Sequence, residues 1–197
     1  WHILLLKPGG EPIKNLIGAI SEYFNRFNIG GSSPDIVNNL ESLIFNDSDG
    51  INRVFQLLAG KNILFVIDQF EELFTFADEA GRTTFEALLA HALQDPGCPF
   101  FLITTVRADF LDRFDQLPKL GGPYNTTCRQ YFLPSISEQG LREVIDGPAA
   151  LAGLDVSEVR TAILEDAREE MAGALPLVEN ALSVLWERQE GRKDNRL

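Results

Sequence analysis

The sequence predicts an α/β fold. Short apolar runs of strand length alternate with amphipathic helical patterns, the rhythm of a parallel sheet with crossover helices. Ile63-Leu64-Phe65-Val66-Ile67 runs straight into Asp68, and Glu71 and Glu72 follow within one turn. Phe100–Thr104 is apolar on consecutive positions, as strands covered on both faces are. The chain has 197 residues, 45% of them hydrophobic, enough for one full core or a core plus a small satellite.

The elements follow in order. Trp1–Leu6 reads as a short buried strand, broken by Lys7-Pro8-Gly9-Gly10. Ile13, Leu16, Ile17, Ile20, Tyr23, Phe24 and Phe27 recur at three and four residues and predict a helix. Gly30–Pro34 is a loop. Ile36–Ile44 and Val54–Leu58 are helical segments split by Asn46-Asp47-Ser48-Asp49-Gly50. The strand Ile63–Ile67 comes next. Thr83 with Glu86 makes a capping box for a helix whose apolar face is Phe85, Leu88, Leu89, Ala92 and Leu93. Asp95-Pro96-Gly97 ends that helix. After the strand Phe100–Thr104, Arg107–Phe114 predicts a short helix and Gln130–Leu133 a fourth strand. Beyond Pro134 only helical patterns remain, capped at Ser137 and at Asp155 with Glu158, and closing with Leu175–Trp186. The boundary is therefore set near Pro134: an α/β part over 1–134 and a helical part over 135–197, with a fraying polar tail from Arg188.

Composition excludes several classes. The formal charge is −12 and no Lys/Arg cluster appears, which argues against a nucleic-acid surface. Cys98 and Cys128 form no CxxC pair, and His2 and His91 are isolated, so zinc-ligand spacing is missing. The thiol usage fits a reducing, cytoplasmic compartment. No apolar run is long enough for a membrane span, and no signal peptide is visible.

The chemistry concentrates at strand ends. A charge is costly inside a strand, so Asp68 is expected at the C-terminal tip, where α/β ligands gather. There it can hold a magnesium-bound water, and Glu71 or Glu72 can orient or deprotonate an attacking water. The plainer alternative is that Asp68 caps the next helix and the glutamates solvate its first turn. Thr104, Thr105 and Arg107 end the next strand, and the guanidinium fork suits a γ-phosphate. The alternative there is a solvated tip with Arg107 paired to Asp109 or Asp112. Gly173-Ala174-Leu175-Pro176-Leu177 reads first as a helix start after a glycine break. Gly60-Lys61 is a decoy for a phosphate loop: Asn62 follows where Ser or Thr belongs, Phe55 stands where the first glycine belongs, and a strand comes after.

Taken together, LFVIDQFEEL (Leu64–Leu73), TTVRADF (Thr104–Phe110), VIDGPAALAG (Val144–Gly153) and GALPLVENALSVLW (Gly173–Trp186) resemble the STAND class of P-loop NTPases, and more narrowly the novel STAND NTPase type 1 domain, over about Trp1 to Trp186. The resemblance implies a P-loop NTPase-like parallel sheet followed by a small all-helical lid. It implies Asp68 as the Walker B magnesium aspartate, Glu71 and Glu72 as the acidic pair with water activation on one of them, and Arg107 as the sensor-1 arginine, with Thr105 nearby as a nucleotide contact. Gly173, Leu175 and Pro176 become the helical-domain motif that contacts nucleotide. It also implies ATP or ADP with Mg2+ in the intact protein, slow hydrolysis and self-association. Effector or sensor domains, WD40-type or caspase-like, would sit on the same chain. The family's Gly-x-x-x-x-Gly-Lys-Ser/Thr loop does not occur here, so the core is read as lacking its first strand and phosphate loop. The isolated chain would then bind ATP weakly or not at all and be marginally stable, because that strand lies inside the sheet. Competing readings are a catalytically inactive oligomerisation or protein-interaction module, an AAA-type ATPase fragment, and a phosphatase-like hydrolase. The last would want a second acid at position 70, where Phe70 stands.

Overall fold

The computed structural model describes residues 1–29, 40–42, 44, 49–56, 62–98, 100–169 and 174–189. The expected loop Gly30–Pro34, most of the Ile36–Ile44 helix, the Gly60-Lys61 decoy, Gly173 and the end of the tail lie outside these. The chain divides into two compact units, Trp1–Arg129 and Gln130–Leu197.

In the first unit, β1 (His2–Leu6), β2 (Ile63–Ile67) and β3 (Phe100–Thr104) form a parallel sheet in the order β1-β2-β3. Helix α1 (Pro12–Arg26) and the short α2 (Gly50–Gln56) lie between β1 and β2 in the chain. Helices α3 (Glu72–Thr75) and α4 (Glu79–Gln94) lie between β2 and β3. A 3-10 helix (Ala108–Gln116) and α5 (Pro118–Thr126) complete the unit. Both crossovers step across the sheet in the same direction, so the right-handed rule puts their helices on one face. That face holds the core. Leu4, Leu6, Ile63, Phe65, Ile67 and Phe100 are buried in one cluster with Leu16, Ile20 and Phe24 of α1 and Phe85, Leu88 and Leu89 of α4.

The other face departs from expectation. The sequence reads as strands covered on both sides, yet Ile3, Leu5, Phe101 and Ile103 are exposed, and Trp1 rests on Phe101 with ring centroids 5.0 Å apart. The register aligns them in rows, Ile3–Leu64–Phe101 and Leu5–Val66–Ile103. Consecutive apolar residues thus reported a sheet with two apolar faces, whereas the crossovers within these residues supply cover for one.

Three further expectations are corrected. Gln130–Leu133 forms no strand; Tyr131, Phe132 and Leu133 are exposed, because a strand exists only where a neighbour completes its ladder. Thr83 is not a cap: α4 begins at Glu79, with Asp78 accepting the Gly81 N–H at 2.7 Å. Glu86 is instead buried beneath α5, where it accepts the N–H groups of Lys119 and Leu120. Leu93 is exposed, since the buried stripe of α4 ends at Ala92.

The second unit packs α6 (Glu138–Ala152), α7 (Ser157–Glu169) and α8 (Ala174–Gln189). Its core includes Leu141, Ile145, Ala149, Val156, Leu164, Ala174 and Val178. Ser137 caps α6 by accepting the Gly140 N–H at 3.1 Å. Gly153, at φ +69°, ends α6 in the left-handed conformation that glycine adopts without strain. Arg160 reaches back to Asp146, Nη1 lying 3.2 and 3.1 Å from its two carboxylate oxygens, which ties α7 to α6.

Candidate functional site

The C-terminal ends of three parallel strands bring Lys7, Asp68 and Thr105 onto one rim of the sheet, with Leu6, Ile67 and Thr104 in register beneath them. Asp68 is the centre of the arrangement. The Thr105 hydroxyl donates to its Oδ1 at 2.6 Å, and Lys7 Nζ lies 3.4 Å from its Oδ2. The Thr105 hydroxyl, above all, holds this carboxyl below the usual carboxylate range; burial opposes it, and the Lys7 ammonium and the Gln69 N–H add to the lowering. Asp68 is therefore ionised at neutral pH.

The turn after Asp68 is stapled to β3. Gln69 takes a left-handed φ of +55°, uncommon for a residue with a Cβ. Its N–H donates to Thr105 Oγ1 at 2.9 Å, and the next N–H, of Phe70, donates to the Thr105 carbonyl at 2.9 Å. The Phe70 ring is buried and stacks on Phe114, centroids 5.4 Å apart, and Phe114 stacks on Tyr124 at 4.3 Å. Strain of this kind persists where surroundings over-determine it. Here two hydrogen bonds and an aromatic stack do so, and they fix where Glu71 and Glu72 start.

The two glutamates diverge. Glu71 Oε2 faces the Arg107 backbone N–H at 3.4 Å, on the β3 side. Glu72 Oε2 accepts the Gly9 N–H at 3.1 Å, on the β1 side. Among the described residues, no three acids converge as a metal cage. The Arg107 guanidinium forks onto Asp109, with Nε 3.1 Å from Oδ1 and Nη2 2.9 Å from Oδ2, one of the two ion pairs expected of a plain solvated tip. That pair is exposed, so it costs little to exchange. Leu175 and Pro176 lie exposed in the first turn of α8, within the second unit.

Lys7, Gln69 and Phe70 belong to the site as well. Lys7 carried the same signal as Asp68, a charge directly after an apolar run. Gln69 and Phe70 carried none, because a left-handed φ and an aromatic stack depend on partners far along the chain.

A parallel sheet with ionised and hydroxyl groups gathered at its C-terminal rim presents them where α/β folds bind their ligands. The family model described as Novel STAND NTPase 1 matches residues 1–197. The chain belongs to that family and is a STAND-class NTPase domain. A search of the curated proteins returns no match.

Proposed function

We propose that this chain is the Walker B and sensor part, with its helical lid, of an ATP-dependent signalling switch. Nucleotide would control a conformational change and self-association that activate an effector on the same chain, and slow hydrolysis would reset it. The observation that carries the reading is the Thr105–Asp68 bond at 2.6 Å, which orients one ionised carboxylate on the rim where two strands end. Asp68 would hold Mg2+ by one carboxylate, with phosphate and water oxygens completing the shell. Magnesium favours that mode over an all-protein cage, so the donor set fits. The bound ion would neutralise developing phosphate charge. Thr105 spends its proton on Asp68 and so aims the carboxylate. Arg107, after exchanging Asp109 for phosphate, would report the γ-phosphate. Leu175 and Pro176 would carry lid contacts to the nucleotide.

The uncovered sheet face supports the finer fold reading. A strand beyond β3 that precedes β1 in the chain must cross the sheet in the reverse direction, and its right-handed crossover falls on the opposite face. That is the face presenting Ile3, Leu5, Phe101 and Ile103, and it is where the helix that follows the phosphate loop in the resemblance would pack.

The test is Asp68→Asn in the full-length protein, with fluorescent ATP binding followed against Mg2+. Loss of the Mg2+ dependence is expected. Wild-type Mg2+ dependence and turnover in that variant would sink the reading.

A further inference from the structure

Adjacent carboxylates after an Asp68-type acid look interchangeable in sequence, but their partners differ. Glu72 is engaged on the turn that follows β1. Its Oε2 takes the Gly9 N–H at 3.1 Å, a bond to a charged acceptor. Gly9 sits at φ +58°, and a Cβ there would stand 2.8 Å from Asn15 Nδ2. That same Asn15 amide donates to the Pro8 carbonyl at 2.8 Å. One side chain from α3 and one from α1 therefore fix the Lys7–Gly10 turn, and the turn presents Lys7 to Asp68 at 3.4 Å. Glu71 keeps a longer contact, 3.4 Å from the Arg107 N–H, on the side where β2 and β3 end. A general base must lie within reach of the water it activates, and the Asp68–Thr105 pair that marks the site stands where β2 and β3 end. Glu71 meets that condition better than Glu72.

We infer that Glu71 is the carboxylate that handles the attacking water, and that Glu72 is a positioning residue whose bond to Gly9 holds Lys7 beside Asp68 as a cation for phosphate. This rests on the reading proposed above. Lys7 is then a nucleotide contact delivered by the edge strand. Its ammonium neighbours Asp68 until a phosphate oxygen offers it a better partner.

The experiment compares Glu71→Gln, Glu72→Gln, Lys7→Met and the double variant Glu72→Gln/Lys7→Met in the full-length protein. Turnover, fluorescent ATP affinity and Gly9 amide exchange are read separately in that protein. Glu71→Gln should lower kcat by about 100-fold or more, the usual size of a lost general base, with ATP affinity within about twofold. Glu72→Gln should keep kcat within about fivefold, weaken ATP about tenfold and speed Gly9 amide exchange. Lys7→Met should weaken ATP by a similar factor, and the double variant should be no worse than either single change, because both remove one contact. An abolished kcat in Glu72→Gln with near-normal turnover in Glu71→Gln would overturn the assignment while leaving the ATPase reading intact. Additive losses in the double variant, or unchanged Gly9 exchange, would overturn the positioning role. Normal turnover and affinity in all four would remove the underlying reading as well.

Discussion

Replacing Thr105 by Val tests whether the rim is an electrostatic construction or only a strand end. The change keeps the branched shape and deletes one hydroxyl, which at present donates to Asp68 Oδ1 at 2.6 Å and accepts from Gln69 N–H at 2.9 Å. A hydrogen bond to a charged group contributes about 1.5–3 kcal/mol. The Asp68 side chain is 40% exposed, so water replaces much of that, and about 1 kcal/mol is the fair figure. Losing the Gln69 N–H bond to that hydroxyl adds up to about 1 kcal/mol. The expected loss is about 1–2 kcal/mol, a fall of roughly 4–8 °C in the Tm of the first unit. The pH dependence carries the sharper signature. The Asp68 pKa is lowered on folding, so its stabilisation is complete above its ordinary value of 3.8 and disappears as pH falls through the lower folded value. The difference between wild type and Thr105→Val in urea titrations should be constant over about pH 5–8 and shrink below about pH 4. The Asp68 carboxyl carbon, followed by NMR, should titrate at higher pH in the variant. An equal difference at about pH 3 and pH 7 would refute the claim that Thr105 acts through the Asp68 charge.

Two other expectations concern residues away from the rim. Glu86→Ala leaves two backbone donors at the start of α5 without an acceptor, the Leu120 N–H buried and the Lys119 N–H partly so, and should cost about 2–3 kcal/mol by urea denaturation, against about 1 for Glu86→Gln; a loss under about 1 kcal/mol for the alanine variant would contradict the bonding described. Burial, then the charges of Asp95 and Asp49, push the Cys98 thiol up to about 11, while Cys128 is exposed. At pH 8 a disulfide reagent should therefore titrate one thiol per chain quickly and Cys98 at least about 100-fold more slowly, and equal rates would be inconsistent with that burial.

Much of this protein follows from sequence because the signals were local. Each of the three strands needed a short apolar run and a breaker. Helix α1 needed one stripe at helical spacing. Asp68 reached a strand tip because a carboxylate cannot stay inside a strand. Ser137 capped α6 because its hydroxyl lies within reach of the next N–H groups. The family, too, was legible from four short motifs read in order.

What the sequence left open depended on partners distant in the chain. Thr83 and Glu86 satisfied a local capping rule, but Asp78 capped α4 first, and the buried end of α5 claimed Glu86. Gln130–Leu133 had strand composition and no neighbouring ladder. Glu71 and Glu72 were indistinguishable as letters. Only the fold set Gly9 against one and the Arg107 amide against the other. Sequence determines periodicity, breakers and the energetic placement of single charges, because those act over a few residues. Which donor meets which acceptor is a matter of distance in space, so the separate partners of Glu71 and Glu72 and the uncovered face of the sheet were decided by the tertiary structure alone.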